Sequence, residues 1–221
     1  MASRPFDVHA AARDFADTLS AVLNATVCNG VRVRAVLAPD GRAWLGYNIS
    51  KTQLVPVSAF PLGTPKSGIY CGLSYRLQPD EEHRYLAVAS SFMGLFLDAG
   101  MEKLLLHFDY ERDKGDGYPE AHLQVDAGSE AWDQAIAASP VASDRKRDLA
   151  DLHLPVGGRR FRPTLEDLIE FVISERLVKA KNGWQAVVDR ERELYAINQM
   201  RAMIRRYPEE AAQAVRDFAR S

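Results

Sequence analysis

The chain has 221 residues, of which 47% are hydrophobic and 26% charged, an ordinary globular balance with material for one sizeable core. Its formal net charge of −2 excludes an overall field that would draw in nucleic acid or anionic membrane, so any polyanion affinity requires a local patch. Among 28 basic residues Arg far outnumbers Lys, and Ala is abundant, the skew expected of a GC-rich bacterial coding sequence. Cys28 and Cys71 stand far apart at no metal or redox spacing, and the N-terminus carries no apolar leader. No stretch approaches the ~18 uninterrupted apolar residues of a membrane span. These features predict a cytoplasmic protein whose two thiols are reduced, buried hydrophobes.

In chain order, Val8, Ala11, Ala12, Phe15, Leu19, Val22 and Leu23 recur at helical spacing and predict an amphipathic helix over residues 6–24. Val31 to Leu37 alternates apolar and polar residues. Pro39, Asp40 and Gly41 then supply a turn, and Ala43 to Tyr47 returns as the second arm of a hairpin. Leu54 to Val57 reads as a short edge strand, because Pro56 cannot donate to a ladder. Residues 60–68, punctuated by Pro and Gly, read as a loop. Further strands are predicted at 69–77, 85–89, 102–110 and 121–125, which makes the middle of the chain a mostly antiparallel meander.

After Gly128 the period changes. Ser129 is expected to cap a brief helix that Pro140 ends, and residues 141–151, small and charged, are expected to be a mobile connection. Thr164 and Asp167 resemble a capping box at the start of a helix marked by Leu165, Leu168, Ile169 and Val172. Gly183 breaks that pattern before a long helix from Trp184, and Tyr207 with Pro208 ends it ahead of a last helix at 209–220. The expected architecture is α+β: a mostly antiparallel sheet of about five or six strands, packed with an N-terminal helix and C-terminal helices. Residues 1–162 form the core and residues 163–221 a helical segment packed on it, within one domain overall.

Two segments carry the candidate chemistry. On a strand, alternate side chains share a face, so His107 aligns with Asp109, and His122 aligns with Gln124 and Asp126. Neighbouring antiparallel strands bring the two sets together, with His153 as a third imidazole. Three histidines and a carboxylate are donors suited to Zn²⁺, but no pair has a tight interval such as His-x-x-x-His, so neither metal nor cofactor is assigned from sequence. The same groups suit metal-independent acid–base catalysis. His122 and His107 would exchange protons, Arg159 or Arg160 would stabilise charge on a phosphoryl oxygen, and Gln124 and Tyr110 would position a base or phosphate.

The second segment runs from His153 to Arg162. Gly157 and Gly158 precede Arg159, Arg160 and Arg162 beside a helix start, an anion-binding corner without the spacing of a P-loop. From residue 144 to 176 basic and acidic residues balance, so pairing with Asp148, Asp151 or Glu166 is the competing structural use. Between 179 and 206, Lys179, Lys181, Arg190, Arg192, Arg201, Arg205 and Arg206 outnumber the acids and are interleaved with Trp184 and Tyr195.

Two functional classes fit. The first is an interaction or regulatory protein that binds a protein partner or a polyanion such as RNA through Arg160, Arg162, His153 and the basic C-terminal helices. The alternative is a small, toxin-like ribonuclease built on His122, His107 and Arg159. A nucleophile elbow, a Walker motif and a Rossmann fingerprint are all absent from the sequence.

Overall fold

A computed structural model of the chain describes residues 6–64, 68–80, 82–115, 118–137, 148–157 and 162–220. The first helix, α1 (Val8–Thr26), opens on Asp7, whose carboxylate accepts from the Ala10 N–H at 3.0 Å. It buries Ala12, Ala16, Leu19, Val22 and Leu23, the apolar stripe of the periodicity. At its far end Lys181 Nζ donates to the Asn24 carbonyl at 2.6 Å, satisfying an acceptor the last turn leaves open.

Strands β1 (Val33–Leu37) and β2 (Ala43–Tyr47) form the predicted hairpin, with Gly41 at φ 78° in its turn. The sheet continues through β3 (Phe60–Pro61), β4 (Tyr70–Pro79), β5 (Leu86–Phe96), β6 (Leu104–Glu111), β7 (Ala121–Val125) and β8 (Leu154–Pro155). Its order is β1-β2-β4-β5-β6-β7-β8, with every pairing antiparallel, and β3 pairs with the same edge of β4 as β2. This is the expected α+β class with eight strands rather than five or six, because the two-residue strands β3 and β8 also pair. The expected edge strand at 54–57 does not form. Residues Ile49 and Pro56 lie over Gly46 instead, close enough that a Cβ there would sit 2.7 Å from Pro56 Cγ. The segment folds back across the sheet, and Phe60, expected in a loop, pairs with Cys71.

The C-terminal part holds α2 (Glu130–Ala137), α3 (Leu165–Ser174), α4 (Trp184–Arg206) and α5 (Pro208–Phe218). At the start of α3, Asp167 Oδ2 accepts from the Thr164 N–H at 2.8 Å, so Asp replaces the usual Glu in reaching back. The core lies between α1, α3 and one face of the sheet. Leu45, Leu73, Leu77, Met93 and Leu95 meet Leu165, Leu168, Ile169 and Val172 there, joined by the buried Val188 of α4. No helix among the described residues is long and apolar enough to cross a membrane.

Candidate functional site

Alternation along the strands assigns the remaining side chains to the second face, away from the core. There the register sets His107 opposite Gln124 and Asp109 opposite His122. The four side chains therefore form one square on two adjacent strands, fixed by backbone hydrogen bonds rather than by a loop. Asp109 Oδ2 lies 3.4 Å from His107 Nε2 and 3.8 Å from His122 Nε2. His107 Nε2 is also 2.9 Å from Gln124 Oε1, and Gln124 Nε2 donates to the Ala150 carbonyl at 3.1 Å. That second bond fixes which way the amide points, so Nε2–H of His107 donates to Oε1 and its Nδ1 is left as an acceptor. The His107 ring stacks on Phe92 at 5.5 Å.

His122 is only 3% exposed. Its Nδ1 lies 3.4 Å from the Pro119 carbonyl and its Nε2 3.8 Å from Asp109 Oδ2, two groups that can only accept, so a neutral ring can donate to one of them at a time. Burial, and then the charge of His153, hold the His122 imidazole below the ordinary histidine range, while Asp109 pulls the other way. The His153 ring packs 4.5 Å from that of His122 and 4.4 Å from that of Tyr118. Nδ1 of His107 and Nδ1 of His153 are buried without a hydrogen-bond partner among the described residues. The square opens to solvent at Asp109, whose side chain is 37% exposed against 14% for His107.

The structure thus brings His107, Asp109, His122, Gln124 and His153 together, with Asp109 between the two strand imidazoles. Tyr110 does not join them. It follows Asp109 on β6, so it faces the helical side, opposite Ser91 and Ala121, and cannot act with Gln124 on one ligand. Asp126 lies beyond the end of β7, where its N–H donates to the Leu105 carbonyl. Gly158, Arg159 and Arg160, the centre of the expected anion corner, lie outside the described residues. Asp148 and Asp151 are engaged locally: Asp148 Oδ1 accepts from the Ala150 N–H and Asp151 Oδ2 from the Asp148 N–H.

Arg162 reports a second site, on the helical side. Its guanidinium lies 4.9 Å from the Tyr110 ring centre and 5.7 Å from that of Tyr195, and its Nη1 donates to the Tyr195 hydroxyl at 3.3 Å. It lines a cleft of about 1060 Å³ between the β4–β5 turn, the start of α1 and the C-terminal half of α4. Arg84, Arg112, Arg201, Arg205 and Arg206 also line it, against the carboxylates of Asp80, Glu82 and Asp113. Arg205 lies over Tyr85 at 5.0 Å. The bulge in β4–β5 pairing leaves two carbonyls of β5 to Arg112, whose N–H donates to Ala89 and whose Nε donates to Val88 at 3.0 Å.

The basic run of α4 therefore divides by position. Arg192 pairs with Asp167 and Glu170 of α3, and Arg190 with Glu191, so the first half of the helix is tied to structure. Only the second half turns its arginines to the cleft. Sequence reading counted the arginines of α4 but missed Arg84 and Arg112, because their meeting depends on strand pairing far along the chain. Comparison of the chain with protein-family models, curated proteins and solved structures finds no match in any of the three.

Proposed function

We propose that this chain is a binding protein for a phosphate-rich polyanion, with single-stranded nucleic acid as the reference ligand, and that the arginine-lined cleft is its binding surface. One observation carries the reading. Guanidiniums from the β4–β5 turn, the end of β6, the approach to α3 and the second half of α4 all border one open groove. Arginine forks pair with phosphate oxygens in two-bond geometry, and their weak hydration lowers the cost of desolvating them. Tyr85 and Tyr195 stand beside them, planar surfaces on which bases stack without regard to sequence. The chain's charge of −2 does not oppose this, since the groove sets the local field.

The test is fluorescence anisotropy of a labelled, mixed-sequence RNA strand titrated with the full chain between about 50 and 200 mM salt, where phosphate-driven affinity falls steeply. Competition by polyphosphate but not by polyglutamate supports phosphate recognition. Absence of binding at the low-salt end overturns the reading. A second reading, a protein partner, is favoured by the opposite stripe of α4, where Met200, Met203 and Ile204 are exposed at helical spacing and with Tyr207 line a separate groove. That reading requires charged substitution at Met200 and Met203 to abolish an association that RNA does not compete.

A further inference from the structure

The square on the other face of the sheet does not contribute to the cleft and has its own chemistry. We propose that His107, Asp109 and His122 form a site for one divalent first-row transition-metal ion, Zn²⁺ the reference case, with Gln124 Oε1 as a fourth donor.

The spacing of the donors is the first argument. With metal–ligand bonds of ~2.0–2.1 Å, neighbouring ligand atoms stand roughly 3 to 3.5 Å apart. Asp109 Oδ2 is 3.4 Å from one imidazole nitrogen and 3.8 Å from the other, and all three ligand atoms lie within 4.8 Å of one another. Gln124 Oε1, 2.9 Å from His107 Nε2, fits the same shell. Small rotations of side chains mounted on paired strands are enough to close such a set around an ion.

The polar surroundings of His122 also favour an ion. His122 stands between two acceptors, the Pro119 carbonyl at Nδ1 and the Asp109 carboxylate at Nε2, and a neutral ring has one N–H for the two. A cation on Nε2, with the ring proton on Nδ1 toward Pro119, satisfies both contacts at once. The outer contacts are those that orient a ligating histidine: Nδ1–H to a backbone carbonyl for His122, and an amide held by the Ala150 carbonyl for Gln124. One feature opposes the ion. Metal on Nε2 of His107 moves its proton to the buried Nδ1, which has no acceptor among the described residues.

The donor set chooses the ion. Two imidazoles with one carboxylate suit Zn²⁺, Fe²⁺, Co²⁺ or Ni²⁺, whereas Ca²⁺ and Mg²⁺ call for oxygen alone. The exposure of Asp109 leaves room for water on the ion, the mark of a site that is not closed on itself. His153 packs on His122 and lies outside the ligand group.

The experiment uses the full chain, stripped with chelator, then titrated with Co²⁺ by visible absorption and with Zn²⁺ by calorimetry. The expected result is one ion per chain with the ligand-field bands of nitrogen and oxygen coordination. Asp109→Asn keeps the side-chain size at a half-exposed position and is expected to weaken affinity at least about tenfold, while His153→Gln stays close to wild type. Circular dichroism confirms that both variants fold. Absence of binding, or affinity unchanged in Asp109→Asn, overturns the proposal. So does RNA cleavage that is indifferent to chelator and lost in His107→Gln, because that outcome assigns the imidazoles to metal-free acid–base work.

Discussion

Arg201→Gln combined with Arg206→Gln tests the cleft most directly. Both arginines are exposed on the second half of α4 and line the groove, and Gln keeps helix propensity while deleting the charge. Each phosphate contact on a single strand contributes about −0.7 to the slope of log affinity against log salt. Six guanidiniums bordering the groove set an upper bound of about −4 for the wild type. Removing two contacts makes the slope shallower by about 1.4, which at ~0.1 M salt is roughly a 25-fold loss of affinity, or about 1.9 kcal/mol. Arg190→Gln is the control, because that arginine lies on the same helix but pairs with Glu191 and does not line the cleft. The assay is RNA anisotropy across a salt series. An unchanged slope in the double variant, or an equal change in the control, would refute the placement of phosphate in this groove.

Three further outcomes follow from the geometry. With the folded-state pKa of His122 held below its unfolded value, the unfolded chain binds more protons in between, so this residue's contribution to stability is present above about pH 6.5 and is lost as pH falls through the folded value. Urea unfolding at stepped pH, compared with His122→Gln, should show that slope only in the wild type; parallel curves count against it. Gly46→Ala should destabilise by about 1–3 kcal/mol, because its Cβ would meet Pro56 Cγ at 2.7 Å, Ile49 Cγ2 at 2.9 Å and the Leu73 carbonyl at 3.2 Å. Chemical denaturation with an unchanged midpoint would contradict that packing. Burial pushes the Cys28 thiol up to about 12 and that of Cys71 higher still, so a thiol reagent near neutral pH should label the native chain only as fast as it opens. Rapid labelling of both without denaturant would show that the thiols are reachable.

Much of the fold is legible in the sequence, because it rests on local rules. The 3.6-residue stripe of Val8 to Leu23, the Asp40–Gly41 turn, the Thr164–Asp167 cap and the Tyr207–Pro208 break each act within a few residues and appear where the pattern predicts. The two short strands were not legible, since two residues carry no period, and Pro56 was misplaced because its packing over Gly46 depends on a fold-back of the chain. Strand alternation was enough to align His107 with Asp109 and His122 with Gln124. Putting the two pairs opposite one another required the register of β6 on β7.

Composition, periodicity and turn chemistry by themselves determined the α+β class and the antiparallel order of the central strands, because each strand's alternation and each turn is a property of neighbours in sequence. Tertiary structure alone decided which arginines share a groove and that Asp109 stands between two imidazoles. Those outcomes are set by pairing register and helix docking, which join residues tens of positions apart through backbone hydrogen bonds and buried apolar contact, and no local pattern encodes them.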